Sequence, residues 1–467
     1  MSRSRSALSL TGLLVAGLLA AEPRPGAALA AAAPGAEAEA EAWTEVGARA
    51  DADVAALRER AFAALWREDT PRAIACFREY LATPAGAGDR EAQRGLALAC
   101  AWDGRQAEAQ ARYRDLLAAD PDDGESRVGL GRSLLWDNRL RAGWRELETA
   151  AAATDPATAA AAADVQLAAL DGYAAPLEVT AAWSWDSDDL DIARLTVAGA
   201  AHAGRGVLLQ VLPGRTWYRQ PGQPDADATR LGLGLAAGLG RGLALHAFGT
   251  AERYASGGDL PATGAPLDWD RVGGDAWLTW LPAPRWRADL GAASQAVETY
   301  LGFGRELERR QASLSLERRL PGGWSVAASA THGDYTDGNR SDLLVARAGW
   351  RRDGRCLWEV GAVGRRLDFR TPYPGAYWAP DWLGSGGLEA SLQARRGDCT
   401  FRLGGSLARE KEAGAAAITV GAATGRLGWR FAPGWLLALE AGWSQSALST
   451  ASGYHRTSLG VGLRAFF

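Results

Sequence analysis

The sequence predicts an α + β multidomain chain, in which an α-helical repeat array precedes a sixteen-stranded antiparallel transmembrane β-barrel. Three observations predict it. Ala101-Trp-Asp-Gly-Arg105 recurs as Leu135-Trp-Asp-Asn-Arg139, offset by 34 residues, and a fixed period of this size marks a helical repeat. From Leu177 onward, segments of period-2 alternation are joined by connections that are alternately tight and long. Tryptophans gather at the edges of the tight turns instead of mid-strand.

The first element is an export signal over residues 1–30. Arg3 and Arg5 precede an apolar run from Ala7 to Ala21, and small-residue cleavage sites follow around Leu19-Ala-Ala21 or Ala28-Leu-Ala30. An uncleaved anchor helix is the alternative. Residues 31–44 read as a linker. After residue 40 no apolar run approaches the ~18 residues of a membrane helix, so any later crossing has to use strands. The formal net charge of −4 and the lack of a basic cluster argue against a nucleic-acid partner.

Residues 45–172 carry the repeats. Ala97, Gly104, Ala109, Tyr113 and Pro121 take the small, turn, small, aromatic and terminator places of one unit. Gly131, Asn138, Gly143, Leu147 and Pro156 take them in the next, and Ala61, Ala73 and Phe77 belong to an earlier unit. Small residues let paired helices approach, Gly or Asn accepts a left-handed turn, and proline stops the second helix. This pattern resembles the tetratricopeptide (TPR) repeat and predicts about three helical pairs over 45–155, capped by an alanine-rich helix, Ala157–Leu170. Protein binding and a rigid spacer are both open roles for such an array.

Sixteen alternating segments fill 177–467, from 177–185 and 191–202 to 435–447 and 456–467. An even count is what a closed bacterial barrel needs when both its ends lie on one side. Arg352-Asp-Gly-Arg355, Arg396-Gly-Asp398 and Ala432-Pro-Gly434 are among the tight turns, whereas Gln220–Ala228, Ala255–Asp268 and Arg370–Gly384 are long. Tight turns on the periplasmic side and long loops outside is the outer-membrane pattern. Trp280 and Trp286, Trp350 and Trp358, and Trp429 and Trp435 flank tight turns, and Trp324 follows another. Indoles favour the headgroup level, so this recurrence reads as an aromatic girdle. Leu459, Val461, Leu463, Ala465 and Phe467 form the apolar face of the final strand. A terminal phenylalanine on such a strand resembles the signal read by the barrel-assembly machinery, with Ala465 standing where an aromatic is commoner.

With the apolar set facing lipid, Arg287, Asp289, Gln295, Glu317, Arg347, Glu359, Glu389, Arg402, Arg426 and Glu440 face the lumen. Both signs occur, which suits a hydrated path for a polar solute; charges that pair and shut the lumen are the alternative. Tyr373, Tyr377, Trp378 and Trp382 crowd one proline-stiffened loop. They offer either a stacking surface for sugar rings or the packing of an inward plug. Of four cysteines, Cys76 and Cys100 fall in neighbouring helices, while Cys356 and Cys399 fall on strands two apart, about 10 Å and too far for a bridge. No Cys/His cluster has metal-ligand spacing, and neither a nucleophile elbow nor a paired-carboxylate site can be singled out. No cofactor and no enzymatic activity are expected.

Repeats followed by a sixteen-strand barrel resemble the outer-membrane exporters of cellulose and poly-N-acetylglucosamine, and the barrel alone resembles the YaiO-type family. Gly375-Ala-Tyr-Trp-Ala-Pro380 is similar to the Gly-x-Tyr-Phe-x-Pro stretch of those barrels. The resemblance implies an outer-membrane porin with periplasmic repeats, passing a polysaccharide while the repeats hold a synthase component or a modifying enzyme. An anchor whose repeats organise envelope proteins, without transport, is the alternative.

Overall fold

The computed structural model describes residues 53–467 apart from 205, 241, 284, 355 and 446–454. The expected export signal and linker lie outside the described residues. The chain divides into two units, with the boundary between Val165 and Gln166.

In the first unit, residues 53–66 (α1), Thr70–Leu81 (α2), Arg90–Trp102 (α3), Gln106–Ala119 (α4), Gly124–Trp136 (α5) and Leu140–Ala151 (α6) form three successive hairpins. Pro156–Gly172 (α7) follows and crosses the boundary. Aspartates start α3 and α5: Asp89 accepts from Ala92 N at 3.0 Å and Asp123 from Ser126 N at 2.9 Å, meeting donors that a helix cannot pair internally. Asn138 and Gly104 both sit at positive φ, 58° and 78°, where each hairpin turns. Close approach is visible at Gly131 and Gly143: a Cβ on Gly131 would stand 2.8 Å from Leu147 Cγ, and one on Gly143 would stand 2.7 Å from Gly131 O. Phe77, Leu96, Ala97, Tyr113 and Leu134 fill the core between these helices.

The second unit is a closed antiparallel barrel. Its strands are β1 (Leu177–Asp186), β2 (Asp191–Gly204), β3 (Val207–Arg219), β4 (Ala226–Gly240), β5 (Leu243–Leu260), β6 (Ala265–Ala283), β7 (Trp286–Ala296) and β8 (Glu308–Arg319). They continue with β9 (Trp324–Tyr335), β10 (Arg340–Arg352), β11 (Cys356–Phe369), β12 (Trp382–Arg396), β13 (Cys399–Glu412), β14 (Ile418–Ala432), β15 (Trp435–Ser444) and β16 (Arg456–Ala465). Each strand pairs with its sequence neighbours, and β1 pairs with β16, Leu177 opposite Ala465. No edge is left, which is the one way a sheet can satisfy its backbone in hydrocarbon.

The outer wall is apolar. Leu195, Leu209, Leu233, Leu290, Leu314, Leu344, Leu388 and Leu403 are exposed on eight different strands, a pattern that in water would be a large aggregation surface. Trp280, Trp286, Trp324, Trp358, Trp429 and Trp435 are exposed at the turn end of that wall, and the Trp350 indole donates to Gly322 O at 3.1 Å. Among the described residues no helix is long and apolar enough to cross a membrane; the strands make the crossing.

Some boundaries differ from the sequence expectation. Ala255–Asp268 is not an open loop: β5 runs to Leu260 and β6 starts at Ala265, past a register shift between Ala255 and Asp259. There Ser256 Oγ accepts from Leu267 N at 2.7 Å and keeps the ladder satisfied. Trp382–Gly384 belongs to β12, not to the preceding loop. The alternation from residue 285 predicts a strand to 298, but β7 ends at Ala296, because the chain folds back into a short helix, Tyr300–Gly304 (α8). All four cysteines are free.

Candidate functional site: the barrel lumen

Residues opposite each other in register share a face, so the exposed leucines fix which positions point inward. Arg287 and Glu317 are register partners on the inner face of β7 and β8, one residue off the exposed Leu290 and Leu316 parity. Arg287 Nε donates to Asp289 at 2.8 Å, and Thr279 Oγ1 donates to the same carboxylate at 2.6 Å. Arg347 pairs with Glu389 across the intervening β11. The side-chain-free Gly361 opens that crossing: a Cβ there would lie 3.5 Å from Glu389 Oε1. Glu359 stands 4.0 Å from Arg351, and Glu317 stands 3.7 Å from Arg319. These residues share one face of the sheet, and most of them are joined in ion pairs.

At the turn end, the last turn of α7 enters this network. Asp171 takes Arg426 at 2.9 Å and Arg402 at 3.5 Å, while Arg426 also pairs with Glu440. Arg464 donates to the Leu170 and Asp171 carbonyls at 2.9 and 2.7 Å and to Glu178 at 3.1 Å. An arginine on the terminal carbonyls completes the helix end and meets its negative pole. Sequence patterning missed Asp171, since an alanine-rich helix gives no sign of what its final acid will touch.

At the loop end two connections fold inward. Residues 297–307 bring Glu298 to Arg194 and to the Tyr218 hydroxyl, which donates at 2.9 Å. Tyr300 donates to Tyr218 O at 2.9 Å, and Phe303 packs against Tyr218 and Tyr254. Residues 370–381 meet this segment where Thr299 Oγ1 donates to Ala376 O at 2.7 Å. Tyr377 stacks on Tyr335 with centroids 4.6 Å apart, receives Asn339 Nδ2 at 2.9 Å and is buried, which pushes its phenol above the ordinary range. Trp378 is buried and donates to Glu412 at 3.3 Å. Of the two arrangements left open by the sequence, Tyr377 and Trp378 therefore take the inward one and cannot serve as an exposed sugar platform. Tyr373 stays exposed with its hydroxyl 3.1 Å from Glu412, and Trp382 lies under Arg366. A cavity of about 560 Å³ lies among Trp185, Asp186, Asp191, Arg219 and Asp225 at this end. Among the described residues no group of acids, histidines and cysteines could hold a metal.

No protein-family model matches the chain, and no curated protein matches it. Solved structures similar to it include a bacterial polysaccharide outer membrane secretin, at TM-score 0.48 and 11% identity over 62% of this chain and 98% of that one. CdiB from Acinetobacter baumannii aligns at TM-score 0.39 and 10% identity over 62% and 59%. OmpF of Salmonella typhi, in complex with daunomycin, aligns at 0.33 and 8% over 61% and 95%. At these scores the likeness adds nothing to what the chain's own residues say. Those residues build an outer-membrane-type β-barrel: closed, sixteen-stranded, apolar outside and lined inside by paired charges.

Proposed function

We propose that the chain is an outer-membrane channel that exports an exopolysaccharide, with its amino-terminal repeats acting in the periplasm as an adaptor for synthase or modifying components. The observation that supports this reading is the inner face of the barrel. Most of its charges are compensated in pairs such as Arg287–Asp289 and Arg347–Glu389, with small residues between them, so the wall offers donors and acceptors of both signs without a strong net field. A hydroxyl-rich chain can exchange water for such groups along its length, whereas an apolar solute or a bare ion gains little from them. Passage, with no chemical step, is the activity proposed; outer-membrane lipid, the barrel-assembly machinery and the polysaccharide are the partners. One observation favours a second reading. Segments lie inside the barrel at both ends, 297–307 and 370–381 at one and the end of α7 at the other. An anchor that scaffolds envelope proteins without transport would use such a closed lumen. Planar-bilayer recording of the full chain separates the two: channels that added neutral or acidic oligosaccharides block are expected, and a barrel silent even after removal of residues 298–306 would reject export.

A further inference from the structure

We infer that the lumen wall holds a subsite for the carboxylate of an acidic saccharide, built by Arg309, Gln311, Ser341 and Tyr335 around Gly333. The inference deepens the export reading and rests on it. The register brings the four together: Gln311 and Ser341 flank Gly333 on β8 and β10, and Arg309 faces Tyr335 one step toward the loops. A Cβ on Gly333 would lie 2.8 Å from Ser341 Oγ, 3.1 Å from Arg309 Nε and 3.6 Å from its Nη2. Glycine therefore lets the guanidinium and the hydroxyl close together over this position, where any side chain would collide with both.

Arg309 is 4% exposed and, among the described residues, has no carboxylate within ion-pair distance; its recorded neighbour is the Tyr335 ring, 5.9 Å away. Arg271, equally buried, sets the contrast, with Glu252 at 2.6 Å and Glu308 at 3.3 Å. Arg309 Nε and Gln311 Oε1 also lack hydrogen-bond partners. A buried cation without a counter-charge opposes folding unless something else offsets it. An oxyanion does so here: the guanidinium fork matches a carboxylate, the Ser341 and Tyr335 hydroxyls can donate to it, and the Gln311 carbonyl can accept from a neighbouring sugar hydroxyl. One of the four, Tyr335, is covered by the stacked Tyr377 ring, so a chain reaching the site lies inside the barrel.

The test is calorimetric titration of the full chain in detergent with trigalacturonate, cellotriose and sodium sulfate, on wild type, Arg309→Met and Gln311→Ala. Trigalacturonate is expected to bind about tenfold more tightly than cellotriose, the size of one charge-assisted hydrogen bond. Arg309→Met should erase that preference and raise the unfolding temperature, since it removes an uncompensated charge; a merely structural arginine would lower it. Gln311→Ala should weaken trigalacturonate more than cellotriose, whose hydroxyls no carboxylate anchors beside Gln311, and serves where the first variant fails to fold. Equal binding of the two trimers, sulfate binding as tightly as trigalacturonate, or a preference that survives both substitutions overturns the subsite. A chain that prefers trigalacturonate yet stays silent in bilayers rejects export and leaves the subsite standing; conduction without preference does the reverse.

Discussion

Among single residues, Glu108 shows how charge is used in the helical unit. Arg78 donates to it at 2.8 Å from α2 and Arg112 at 2.9 Å from the same helix, tying α2 to α4. The Arg78 hydrogen bond, with Arg112 behind it, lowers the Glu108 carboxyl from 4.5 to about 2. A depressed carboxyl contributes stability above its unfolded value and loses it as pH falls toward its folded value. The helical melting transition, followed by circular dichroism at 222 nm, should therefore drop between pH 4.5 and about 2, and Glu108→Gln should flatten that step. Unchanged pH dependence in the variant would remove Glu108 from the account. Little of this was legible beforehand, because spacing of 30 residues between Arg78 and Glu108 says nothing until the repeat register is known. Gly104 and Asn138 were legible: few residues other than glycine and asparagine accept their positive φ. Arg309 lay between these cases, since alternation puts it on the inner face with Glu317 but cannot reveal that no acid opposes it.

Elements of regular period were easy to read, and irregular ones were not. β9 and β11 match the limits the alternation predicts, 324–335 and 356–369, because turn glycines and edge tryptophans mark where each run starts. Segment 297–307 carries no period, so its entry into the lumen could not be foreseen; what places it is the half-buried Glu298–Arg194 pair and the Tyr218 ring. Removing one partner of a fully buried pair costs about 3–5 kcal/mol, and of a half-buried pair such as this one less. Glu298→Gln should accordingly loosen this segment, raise single-channel conductance and admit protease within 297–307, all without changing the barrel's β-sheet signal. Conductance equal to wild type would mean that the segment does not obstruct the path.

For the molecule as a whole, the strand count and the membrane assignment followed from the alternation of tight and long connections, and the closed ladder agrees with both. Whether the lumen is open did not follow, since the inserted segments owe their positions to contacts distant in sequence. The apolar wall gives a direct measurement. Leu233 is 61% exposed near the middle of β4, and Leu233→Arg should cost about 2–4 kcal/mol in urea unfolding from lipid vesicles, the penalty for arginine at the bilayer centre. A change below 0.5 kcal/mol, the range of ordinary surface substitutions, would place that wall in water. Closure has a kinetic corollary as well. Every ladder but one joins strands consecutive in the chain and can zip as a hairpin, whereas β1 and β16 meet from opposite ends of the barrel sequence. That joint is the step with high contact order, and the last to form. Amide protection arising during refolding should therefore reach Val179 and Val461 after the hairpins, making the cylinder's weld its rate-limiting line.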